Sequence, residues 1–166
     1  MDKLFEQLAE ILSRESEIHQ DLLKTAKTFN EAIKAEDLES IQNCTSIHDE
    51  QVCQIAKLEE KRIECTSEIA GLLGIKDEIP KISAILPRVP QEWQKRFSAL
   101  QMVLKEQIME ISKINTSNRI LLQEGLSFIN NNVRIFQQPT TRNFQYGGKG
   151  KSAGIPVSRN LINKVV

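Results

Sequence analysis

Aromatic residues are scarce in this 166-residue chain, at 5% with one Trp and one Tyr. Glycine and proline number only 7 and 5, and neither occurs before Gly71. Turn-rich β domains, collagen-like repeats and Pro/Gly-rich disordered chains need more of both. The three cysteines, Cys44, Cys53 and Cys65, cannot all pair within the chain and form no disulfide framework. No apolar run approaches the roughly 18 residues of a membrane span, so stable membrane insertion is not expected. The opening Met1-Asp2-Lys3-Leu4-Phe5-Glu6-Gln7 is too charged for a secretory signal peptide. The expectation is a soluble cytoplasmic protein.

Acidic residues are absent from positions 137–166, which contain Arg142, Lys149, Lys151, Arg159 and Lys164. The net charge of zero therefore conceals a tail at +5 on a body, 1–136, with 17 basic and 22 acidic residues. Such a tail can bind nucleic acid, bind an acidic partner or fold back on its own body. Five charges over thirty residues are too sparse for nucleic acid, and no basic stripe in the body extends them. No nucleic-acid partner is expected.

What the chain does have is helical periodicity. Leu4, Leu8, Ile11, Glu15, Ile18, Leu22, Ala26, Phe29 and Ile33 follow the spacing of one helix face, broken only by Glu15. Asp37 can cap a second helix beginning at Leu38. Its stripe runs Leu38, Ile41, Cys44, His48, Val52, Ile55, Leu58, Arg62, Cys65, Ile69 and Leu72, until Gly71 and Gly74 close it. Residues 74–90 read as a connector with one short helical turn around Lys81–Leu86. Pro90 suits the start of a third helix, with a stripe through Trp93, Phe97, Leu100, Leu104, Ile108, Ile111, Ile114, Asn118, Leu122, Leu126, Ile129, Val133 and Phe136. The expected fold is all-α: an elongated, antiparallel, coiled-coil-like three-helix bundle over 1–136, with helices at about 3–34, 37–73 and 91–136. A flexible basic tail, 137–166, follows. At 1.5 Å per residue the third helix spans roughly 70 Å against ~50 Å for each of the others, so its C-terminal end should overhang. Ile120, Leu121, Phe128 and Ile135 add apolar residues off the main stripe there. An exposed apolar helix marks a partner site, unless a tail segment or a second copy of the chain covers it.

Catalytic and metal chemistry find little support. Cys44 and His48 share a helix face with Cys53 nearby, but no C-x-x-C or H-x₃-H pair completes a zinc set. His19 stands alone. Gly150-Lys151-Ser152 matches only the end of a phosphate-binding loop, with Gln145 where the first glycine belongs. No cofactor, metal or catalytic residue is expected.

Several residue strings nevertheless resemble the FlgN family of flagellar export chaperones. They include Leu58-Glu59-Glu60-Lys61-Arg62 closing the second helix. Asn115-Thr116-Ser117-Asn118-Arg119-Ile120-Leu121-Leu122, followed by Leu126, Phe128 and Ile129, is similar to the family's N..N..LL...L.FI pattern. In the tail the order is Tyr146-Gly147, Gly150, then Asn160-Leu161-Ile162-Asn163-Lys164-Val165-Val166. The resemblance implies a cytoplasmic, non-enzymatic chaperone that holds hook–filament junction proteins and prevents their premature assembly. It would then deliver them to the type III export gate, with the export ATPase as a further contact. It also implies client binding late in the last helix, expected here at Leu122, Leu126, Ile129, Val133 and Phe136, and gate docking through Tyr146. Asn118 either restricts the register of the helical seam or begins the client groove. The alternative of another class is a structural coiled-coil protein that dimerises through its long third helix.

Overall fold

The computed structural model describes residues 1–75 and 80–137. Tyr146, the Gly150-Lys151-Ser152 string and the flexibility expected of the tail lie outside the described residues. Among those described the fold is all-α: α1 (Asp2–Lys34), α2 (Leu38–Leu72), α3 (Ile82–Ile85), a 3-10 turn at Leu86–Arg88 and α4 (Gln91–Gln137). The chain divides between Leu121 and Leu122 into two units.

In the first unit α1 has the most buried surface. Phe5, Leu8, Ala9, Ile11, Leu12, Glu15, Ile18, Leu22, Ala26 and Ala32 are buried, a wider arc than one stripe. The reason is that α1 touches two neighbours. The Cys65 thiol donates to the Leu4 carbonyl at 3.5 Å, and Arg62 meets Glu15, so α1 and α2 run antiparallel. On its other side α1 meets α4 in parallel. Glu6 pairs with Arg96, Ser16 with Gln107 and Asn30 with Asn118, the positions rising together. The buried α4 residues Phe97, Leu104, Ile111 and Asn118 recur every seven residues, the repeat of a coiled-coil seam.

The core is densest where the start of α1 meets the end of α2 and the start of α4. Phe5, Trp93 and Phe97 form an aromatic triangle with centroids 5.6, 6.3 and 5.7 Å apart. Arg96 lies 5.2 Å over the Trp93 ring and grips Glu6 with two bonds of 2.9 and 3.0 Å. Ile82, Ile85 and Val89 are buried against this cluster. The segment read as a connector with one short helical turn around Lys81–Leu86 forms that turn as α3 and, beyond that reading, belongs to the core at this end. Its apolar residues are too few to show a period, so the pattern concealed their role.

Each of the first two helices ends in the same way. At the end of α1 the Glu36 N–H donates to the Ile33 carbonyl and the Asp37 N–H to the Ala32 carbonyl. At the end of α2 the Gly74 N–H donates to Gly71 and the Ile75 N–H to Ala70. Both are Schellman closures, which need a left-handed residue. Gly74 has φ 69°, and at the other helix Glu36 fills the role at φ 56°. The next residue, Asp37, caps α2 as its position suggested: it accepts from the Ser40 N–H at 3.1 Å and the Ser40 hydroxyl at 2.6 Å. The Ser40 hydroxyl and N–H hold the Asp37 carboxyl below its ordinary range. The cap is thus present above the ordinary carboxylate pKa and is lost as pH falls through the depressed one.

Glu36→Gly should stabilise the chain by roughly 0.5–1 kcal/mol, because it removes left-handed strain. Gly74→Ala should cost a comparable amount of about 1 kcal/mol, all of it backbone strain, since an added Cβ would meet nothing within 4 Å. Denaturant unfolding of both variants checks this. Equal, near-zero changes would mean that the two closures carry no strain.

Candidate functional site

Three polar residues that interrupt the apolar stripes, the buried Glu15 and Asn118 and the half-buried Arg62, each have a partner. Glu15 of α1 is 5% exposed. Its carboxylate accepts from Arg62 Nε at 3.2 Å, while Arg62 Nη2 reaches Glu59 at 3.2 Å. Burial pushes the Glu15 carboxyl above its ordinary range, opposed by the Arg62 guanidinium. The two stripe-breaking charges of α1 and α2 therefore meet each other. Asn118 of α4 is 3% exposed. It donates to the Ala26 carbonyl at 3.1 Å and accepts from Asn30 Nδ2 at 2.6 Å.

Of the two roles open to Asn118, this placement supports the seam. Its donor and acceptor are both engaged by α1, and a buried amide satisfied in one alignment disfavours the others. It does not share the exposure of the other residues expected to bind a client.

The polar residues that suggested chemistry lie apart in their environments. Cys44 is buried, Cys53 is exposed, and His48 approaches Asp49 at 3.6 Å. Cys65 is buried, and burial together with the Glu68 charge pushes its thiol up. His19 donates through Nδ1 to the Glu15 carbonyl at 2.7 Å, which holds its ring against α1. Among the described residues no group of three His, Cys, Asp or Glu side chains could hold a metal ion. No helix among them is long and apolar enough to cross a membrane. An open cleft of ≈ 550 Å³ runs beside Leu12, Ile55, Leu104 and Ile108 in the first unit.

The second unit presents a different surface. In the α4 residues from Leu122 onward, Leu122, Leu126, Phe128, Ile129, Val133 and Ile135 are all exposed, with Leu126, Phe128 and Ile135 at 60% or more. The side chain of Phe136 lies outside the described residues. At about 100° per residue, Leu122, Leu126, Ile129 and Val133 form one stripe and Phe128 and Ile135 another. The stripes are roughly 140° apart, with Gly125 and Asn132 between them. The helix thus offers an apolar arc about half its circumference. A contiguous exposed apolar arc of this kind is a candidate interaction surface. The sequence indicated the first stripe by its spacing. Phe128 and Ile135 fell off that spacing, and only a helical projection joins them to it.

The family model described as FlgN protein matches residues 1–154. The uncharacterized protein YvyG of Bacillus subtilis (strain 168) is 26% identical over 154 residues, which cover 93% of this chain and 92% of that one. No solved structure matches.

Arg62→Met should destabilise the chain by about 1–3 kcal/mol at pH 7, because Glu15 is left buried and uncompensated. A carboxyl with a raised folded pKa loses stability as pH rises through that pKa, so part of the loss should return on acidification toward the ordinary value of 4.5. Glu15→Leu combined with Arg62→Met should cost far less than the single change. Urea titrations at both pH values test this, and a double variant as unstable as Arg62→Met would contradict it.

Proposed function

Because the chain belongs to the FlgN family, a family of flagellar export chaperones without enzymatic activity, we propose that it captures hook–filament junction proteins in the cytoplasm. It prevents their premature assembly and hands them to the type III export gate. The observation that carries this reading is the exposed apolar arc of α4 after Leu121. A subunit destined to polymerise outside the cell has amphipathic terminal helices that must be kept from one another. Helix-in-groove packing against Leu122, Leu126, Ile129 and Val133, with Phe136 at the edge, covers such a helix. The body, 1–121, serves as a rigid support, and a three-helix bundle accounts for its contacts.

In this reading Tyr146 and the basic tail act on a different partner. Five positive charges attract an acidic surface, and a tyrosine combines an apolar ring with a polar tip. The tail reaches the export gate while the client stays on α4, and the export ATPase is a further contact of the loaded complex.

Leu126→Ala and Ile129→Ala should each weaken binding of a purified junction protein by about 1–2 kcal/mol. The melting temperature should hardly change, since both side chains are exposed. Tyr146→Ala should leave that affinity within about threefold and reduce gate docking and motility instead. Isothermal titration, thermal unfolding and swarming assays read these effects. Equal losses of stability and affinity at Leu126 would make it a core residue, and a collapse of client affinity in Tyr146→Ala would place the tail over the client.

A further inference from the structure

The α4 residues from 122 onward combine two properties that sit badly together in a free helix. The first is exposure: from Leu122 to Ile135 every described side chain is exposed except Asn132, which is half-buried. Tertiary packing, the main source of helix stability in proteins, contributes almost nothing there. The second is composition. Gly125, Ser127, Asn130, Asn131, Asn132 and Val133 are weak helix formers. A Cβ on Gly125 would meet nothing within 4 Å, and its φ is not among the positive ones. Neither close packing nor backbone conformation therefore requires a glycine at this position. Its effect is to lower helix stability in the middle of the apolar arc. The Asn130-Asn131-Asn132 run does the same one turn further on, because short amide side chains compete for backbone hydrogen bonds.

Resting on the reading of this arc as the capture surface, we infer that residues 122–137 form a conditional helix, whose order is completed by the client that covers its apolar arc. Free, the segment opens locally; bound, it gains the packing it lacks. Part of the gross binding energy is used to order it, which moderates affinity for a cargo that must later be released. The occupant is an amphipathic helix of the junction protein, since the arc presents spaced apolar side chains and no line of charges.

The test uses the full chain and a variant that raises helix propensity without touching the arc. Ser127 and Asn130 lie on the opposite, polar face, so Ser127→Ala with Asn130→Ala strengthens the helix and leaves the capture surface intact. Amide exchange of the free protein should be at least about tenfold faster across 122–137 than across 97–118. The double variant should slow it by about fivefold and tighten binding of a purified junction protein by a similar factor. Exchange across 122–137 as slow as across 97–118 would overturn the inference. So would slower exchange with unchanged or weaker binding. Failure of the capture reading itself is separately visible, because Leu126→Ala and Ile129→Ala would then bind the junction protein like the parent chain.

Discussion

The alignment of α1 with its neighbours depends on polar groups that have partners in one register only. Apolar stripes discriminate less sharply against sliding by a heptad, because residues of similar volume such as Leu and Ile replace one another at modest cost. Glu15 with Arg62 and Asn118 with Asn30 and Ala26 are not indifferent. Sliding either pair of helices by one heptad would leave a buried charge or amide without its partner, at about 1–3 kcal/mol or more each. The aromatic triangle, the Glu6–Arg96 fork and the buried α3 all presuppose that alignment.

The cost of this arrangement falls on the middle of α2. Between Cys44 and Cys65 none of its residues is fully buried, and Val52 and Ile63 are exposed. Binding energy for α2 is concentrated instead near Cys65, Thr66, Ile69 and Ala70, beside the aromatic triangle. The first unit is thus anchored at one end and aligned by polar contacts along the rest. The apolar side chains of α4 after Leu121 are exposed, and in the proposed reading they serve an interaction with another protein.

Much of this was legible in the residues. Helical spacing indicated three long helices, and the α1 stripe Leu8, Ile11, Ile18 and Leu22 is buried as spaced. Asp37 declared its cap by type and position. Other features were not legible for physical reasons. Glu15, Arg62 and Asn118 each looked like a flaw in a separate stripe, and only the packing of distant segments shows that the flaws complement one another. Phe5 and Leu12 lie beside the α1 stripe and are buried because α1 has two neighbours, a fact that no single-helix pattern contains. Ile82, Ile85 and Val89 occupy a segment too short for a period. The left-handed role of Glu36 was hidden because glycine, its usual occupant, is absent there. Of the expected site, the spacing of Leu122, Leu126, Ile129 and Val133 was readable, and Phe128 and Ile135 were visible as apolar residues off that spacing without being joined into a second stripe.

The most direct measurement is site-specific photocrosslinking in flagellated cells, with the reactive group placed at position 129 or at position 108. Both side chains are more than half exposed, Ile129 on the late α4 arc and Ile108 beside the open cleft of the first unit. Capture through the arc predicts that a junction protein is crosslinked from position 129 and not from position 108. Crosslinking from position 108 alone would put the client in the cleft and contradict the division of the chain into a supporting body and a capturing helix.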